Sequence, residues 1–259
     1  MKKIFFITII IIILLLFYLY YNYNSYNTII YLSSNETSDF LMKDEDKYVN
    51  NFSNLDLYAR KVKSKQEYLN LISKSALNFN ENQKNKLEQA AKQADIFLSN
   101  YNDNLIIGND IKKYQWIFGL IGNNYEEGMP HTRRNVILLS ANTINNNIDS
   151  LIRILIHEKI HIYQRYNYEY MEKIIVSMGY NFSRYKYNIN RIRANPDLND
   201  NIYKNHNGIE MIGLYKNDKP SGINDILITN FSAEHPYEKM AYEISEEYSS
   251  SLISKFKNI

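Results

Sequence analysis

Five consecutive residues, His157-Glu158-Lys159-Ile160-His161, constrain this chain more than any other part of it. Helical side chains four positions apart stand one above the other on the same face. Two imidazoles at that spacing can reach a single metal ion. Glu158, beside the first of them, sets a carboxylate where it can take a proton from a water at that ion. Histidine is scarce, five residues in 259, so the pairing is not a by-product of composition. Leu151, Ile152, Ile154, Leu155, Ile156, Ile160 and Ile162 give the flanks the pattern of a largely buried helix. Lys159 points away from the histidine face and is expected to run its stem along apolar surface to solvent.

The pattern is H-E-x-x-H, and over about Gly128 to Tyr248 the chain resembles the zincin superfamily of zinc metallopeptidases. The charged Lys159 departs from that family, which usually has uncharged residues between the glutamate and the second histidine. The resemblance implies an α+β domain: a small mixed sheet, the H-E-x-x-H helix, and a later helix carrying the third ligand of one Zn²⁺ per chain. The metzincin branch is excluded, because Asn167 stands six residues after His161 where that branch has a histidine. The gluzincin branch takes a glutamate from a later helix. Pro236, Glu238 and Ala241 match a P-x-E-x-x-A pattern of that branch, with Pro236 suited to a first helical turn. The ligands implied are His157, His161 and Glu238, with Glu234 in reserve, and Glu158 is the implied base. The layout is also similar to metalloproteases of large DNA viruses.

The activity implied is peptide-bond hydrolysis of a peptide or protein substrate. Related enzymes add a Tyr or His that steadies the oxyanion, and His206, Tyr215, His235 and Tyr237 are the candidates. A carboxylate that orients one zinc histidine is sought in Glu243 or Glu234. In zincins the strand before the metal helix often pairs with substrate backbone. Gly128 to Arg133 leads into such a strand, placing His131 and Arg133 near the cleft. Two other readings stand beside this one: an inactive, membrane-anchored binding or structural protein on the same fold, and a hydrolase of amides other than peptides.

Elsewhere the chain is less specific. Ile4 to Tyr21 is apolar except for Thr8 and follows Lys2 and Lys3. Its length reaches the lower end of the roughly 17 to 25 residues that span a bilayer. Residues 1–21 are therefore read as an uncleaved signal anchor, making a single-pass membrane protein whose C-terminal domain lies outside the cytoplasm or on a virion membrane. Residues 22–54 read as a polar stalk, and residues 55–259 as the zincin-like domain, with a helical lead-in over 55–100. In that lead-in, Ser64 with Glu67 starts a helix to about Leu77, and Asn80 with Gln83 starts another. Strands are expected at Gln115–Ile121 and Asn135–Ala141, a helix over Tyr168–Met178 stopped by Gly179, and a hairpin from Glu210–Tyr215 and Asp225–Thr229. A net charge of +2 without a basic stripe implies no nucleic-acid partner. The absence of cysteine means that the core must hold without disulfides, which a domain of this size can do.

Overall fold

The structure, a computed structural model, describes residues 10–14, 28–103, 105–123, 125–186, 189, 191–230 and 233–257. In chain order the elements are β1 (Ile30–Tyr31), α1 (Ser34–Lys43), α2 (Asn54–Ala59), α3 (Lys65–Ser73), β2 (Ala76–Leu77), α4 (Glu81–Asn100), α5 (Gly108–Lys112) and β3 (Ile117–Ile121). A tight turn at Tyr125–Gly128 leads to β4 (His131–Arg133), β5 (Val136–Ser140), α6 (Ala141–Asn145), α7 (Ile148–Tyr166) and α8 (Tyr168–Ser177). Then come β6 (Asn181–Tyr185), β7 (Asn201–Lys204), β8 (Glu210–Met211), β9 (Gly213–Tyr215), β10 (Ile226–Ile228) and α9 (Pro236–Lys257).

The main sheet has the order β1-β3-β5-β4, with β2 antiparallel to β3. β1, β3 and β5 run parallel, while β4 is the antiparallel edge. Parallel neighbours cannot be joined by tight turns, and helices α1 to α5 make the crossover from β1 to β3. The run Val-Ile-Leu-Leu in β5 is buried throughout because both faces of the sheet are covered. Ile137 and Leu139 face the core shared with α4 and α7, whereas Val136 and Leu138 face the cluster of Leu41, Val49, Phe52 and Tyr68. Gly119 lets α1 approach the sheet, since a Cβ there would lie 2.8 Å from Leu138 Cδ2 and 3.1 Å from Thr37 Cγ2.

The expected fold class and membrane location are corrected. The expected fold class was an α+β domain preceded by a transmembrane helix. The architecture is instead mixed α/β with small sheets: the main sheet combines two parallel pairs, β1 with β3 and β3 with β5, with antiparallel β2 and β4. Among the described residues no helix is long and apolar enough to cross a membrane. Of the expected anchor, only residues 10–14 are described, five helical residues where a span takes about 20. The rest lies outside the described residues. The single-pass membrane location is overturned with it.

The segment read as a polar stalk is, from Thr28 onward, built into the domain. β1 pairs with β3, and α1 starts at a reciprocal cap in which Ser33 Oγ accepts from the Glu36 N–H and Glu36 Oε2 from the Ser33 N–H. Ser53 and Asp56 repeat that arrangement at α2. Leu41, Val49 and Phe52 are buried beneath these helices. Lys159 also departs from expectation. It does not reach solvent but is fully buried, 2.8 Å from Asp95 Oδ1 on α4 and 3.8 Å above the Trp116 ring. Burial lowers its ammonium to about 8, with Asp95 opposing that shift. Phe52 separates stalk from domain: it packs edge-on to Tyr48 and under the Arg60 guanidinium, 4.2 Å away. Phe52→Ala should cost about 3–5 kcal/mol in urea unfolding, whereas a stalk residue would change stability by no more than about 0.5 kcal/mol.

Candidate metal centre

The centre starts from two helices. Asn147 caps α7, and the apolar stripe Leu151, Ile152, Leu155, Ile156 and Ile160 pulls one side of that helix into the core. The turn between His157 and His161 then borders a cleft. α9 begins at Pro236, whose missing N–H is no loss in a first turn. His235 caps that helix, its Nδ1 accepting from the Tyr237 N–H at 3.0 Å. Tyr237, Met240, Ala241 and Ile244 share the core of α7, which fixes the side of α9 that faces the histidines.

Glu238 Oε2 lies 3.4 Å from His157 Nε2 and 3.8 Å from His161 Nε2, and the two imidazole nitrogens are 3.0 Å apart. Three ligands of one tetrahedral zinc, each about 2.0–2.1 Å from it, stand about 3.3 Å from one another. The observed edges straddle that value, so the donor set fits one ion in size and in chemistry. Desolvation pushes the Glu238 carboxyl up, but the two imidazoles outweigh it and hold the group well below the usual carboxylate range. The ionised carboxylate is the form that ligates. Asn195 donates to Glu238 Oε1 at 3.0 Å, which steadies the oxygen that does not face the histidines.

Glu158 is buried next to this triangle. The Thr132 hydroxyl is 2.8 Å from Glu158 Oε2 and 3.2 Å from its carbonyl, so β4 holds the carboxylate in place. Burial pushes Glu158 well above the usual carboxylate range, and the negative charge of Asp197 adds to the rise. Glu158, His157, Glu238, His131, Asp197 and Tyr242 line a cleft of about 580 Å³, walled on another side by Ile223, Ile226 and Ile228, with His161 fully buried behind it.

The other expected residues lie elsewhere. Glu234 does not reach the triangle: its carboxylate pairs with Arg193 and accepts from Asn195 at 2.8 Å. Glu243 is exposed on the far side of α9 and pairs with Lys239. His206 lies in an exposed turn and does not line the cleft. Tyr215 is buried, its hydroxyl donating to Asp56. His235 is held between the rings of Tyr203 and Tyr237, and burial lowers it to about 3, so it is neutral. Tyr237 is itself buried and lines a separate cavity. Arg133 is buried against Asp44 and Asp46 rather than facing the cleft.

The strand expected to pair with substrate, Asn135–Ala141, is not a sheet edge, because β5 lies between β3 and β4, and the edge beyond it is occupied. β4 is the edge strand, and the outward Thr132 N–H donates to Asp197 Oδ1 at 2.6 Å while Arg165 donates to the Thr132 carbonyl at 3.3 Å. Besides Asn195 on Glu238, two further residues that the sequence reading missed touch the histidines. Tyr242 packs its ring 4.6 Å from that of His157, and Gln164 Oε1 is 2.8 Å from His161 Nδ1. Tyr242 was signalled by its spacing, four positions after Glu238 on one helix face.

The chain matches no family model, no curated protein and no solved structure with which it was compared. The geometry therefore carries the argument alone. Glu238→Ala should weaken zinc binding by more than the roughly 10- to 100-fold typical of losing a supporting residue, while Glu234→Ala should stay within that range. Competition against a chelating dye reads both. Equal losses in the two variants would reject the assignment of Glu238 as ligand.

Proposed function

We propose that this chain is a zinc-dependent peptidase in which His157, His161 and Glu238 hold the metal and Glu158 is the general base. One observation carries the reading. Three side chains from two helices converge with the spacing of a zinc site, and a fourth, ionisable side chain stands beside them at the cleft floor. Zinc bound there would supply a Lewis acid that polarises a substrate carbonyl and brings a water toward a pKa of about 7.

The protein's own residues supply the proton transfers and the positioning. Thr132 occupies Glu158 Oε2, which leaves Oε1 as the acceptor for a proton from the attacking water. The push that burial gives this carboxyl makes it a stronger base than an exposed glutamate and lets it carry the proton to the leaving amine. Tyr242, which lines the cleft with its ring against that of His157, supplies a donor. Desolvation of its half-covered ring, with Glu238 and Glu158 nearby, pushes the phenol up to about 12, so it keeps its proton at neutral pH. That hydroxyl is the donor for the carbonyl oxygen as charge builds on it.

The test is a peptide library incubated with the zinc-loaded chain. Glu158→Gln should retain zinc and lose about 10²- to 10⁴-fold in rate, because an amide does not take the proton. Tyr242→Phe should lower kcat by about 10²-fold and KM little, the signature of a donor used in the transition state. Peptide cleavage by metal-replete Glu158→Gln at the unmodified rate would reject the mechanism.

A further inference from the structure

Gln164 is completely buried on α7, three positions after His161. Its amide nitrogen donates to the Tyr237 carbonyl at 3.1 Å and faces the Met240 sulfur at 3.6 Å. A carbonyl and a thioether only accept, so the amide orientation is fixed. Oε1 must then be the atom that faces His161 Nδ1 at 2.8 Å. An amide oxygen only accepts, so Nδ1 carries the hydrogen, and in the neutral imidazole Nε2 keeps its lone pair. Nε2 is the atom that lies 3.8 Å from Glu238 Oε2.

We infer that Gln164 is the positioning residue of this centre: it selects the ligating tautomer of His161 and ties that histidine to the helix turn that carries Glu238. The inference rests on reading the site as a zinc centre. Two links follow from one side chain. An imidazole protonated at Nε2 has no lone pair there and cannot ligate through that atom, so fixing the hydrogen on Nδ1 removes a competing form before metal arrives. Tyr237 immediately precedes Glu238, so the bond to its carbonyl fixes the first turn of α9 against α7. The second and third ligands, 77 positions apart in sequence (161 to 238), are thus joined through one amide. The carboxylates sought for this role in the sequence, Glu234 and Glu243, touch neither imidazole. A neutral amide serves both ends, because it accepts from the histidine and donates to the helix; a carboxylate can do only the first.

Two variants and two readouts test this. Gln164→Met keeps the bulk and removes both bonds; Gln164→Glu keeps the acceptor for Nδ1–H and removes the donor to Tyr237. Zinc affinity is measured by chelator competition. The tautomer of His161 is read from imidazole ¹⁵N shifts of the zinc-free protein at alkaline pH. Gln164→Met should bind zinc about 10- to 100-fold more weakly and show mixed tautomers, while Gln164→Glu should keep Nδ1–H and lose less affinity. A folded Gln164→Met whose affinity stays within about twofold of the unmodified chain would overturn the inference. So would an unmodified chain in which His161 is protonated at Nε2. If Gln164→Met does not fold, the tautomer of the unmodified chain and the Glu variant decide. If the unmodified chain takes up no zinc, the proposed function fails separately, and the tautomer still decides the role of Gln164.

Discussion

The centre depends on one packing constraint: α9 must lie against α7 at a fixed height and rotation. A shift of one residue along a helix moves a side chain by 1.5 Å and turns it by about 100°, whereas metal–ligand bonds tolerate about 0.2 Å. No ligand set survives such a slip. Several features hold the height. Pro236 and the His235 cap set the start of α9, Ala241 is small and fully buried at the helix contact, and Met240 and Ile244 enter the core that contains Ile156 and Ile160. The apolar packing gives the contact its stability, and the polar bonds across it choose the register.

The cleft wall opposite the helices is built from parts that carry no chemistry. Glu126, Glu127 and Gly128 are three successive left-handed residues, with φ of 44°, 54° and 75°. A non-glycine residue in that region costs on the order of 1–3 kcal/mol, and something must hold it there. Arg60 grips both oxygens of Glu126, at 2.9 and 2.7 Å, and Tyr68 bonds the same carboxylate. Glu127 accepts from the Ile223 N–H and from Asn224. The neighbouring Asp56 accepts from the Ala194 N–H at 2.8 Å and from Tyr215, which fastens the strap that brings Asn195 to Glu238. Helices α2 and α3 therefore shape the site from a distance, through buried ion pairs and hydrogen bonds.

What the sequence revealed and what it hid divide by range. The two histidines, Glu158 and the start of α9 at Pro236 were legible because each rests on residues within one or two turns. The same holds for the capping box of Asn80 and Gln83, the strands around Ile117–Ile121 and Val136–Ser140, and the stop at Gly179. The helix begun at Ser64 ends sooner than expected, at Ser73, because Ala76–Leu77 pairs with β3. The folded state of residues 28–54 was signalled by Ser33 with Glu36 and Ser53 with Asp56, but the polar composition of the segment masked both caps. Lys159 could not be placed, since only the fold brings Asp95 and Trp116 to it. The same is true of Asp197 on the β4 edge and of Gln164, whose partner on α9 is 73 positions away.

The central claim is that this chain is built around one zinc ion, and the most direct test is the metal content of the purified, folded protein after exhaustive dialysis. The account predicts close to one zinc per chain, held by two imidazoles and one carboxylate in X-ray absorption spectra. A well-folded protein that retains no metal and takes up no zinc on titration would contradict it.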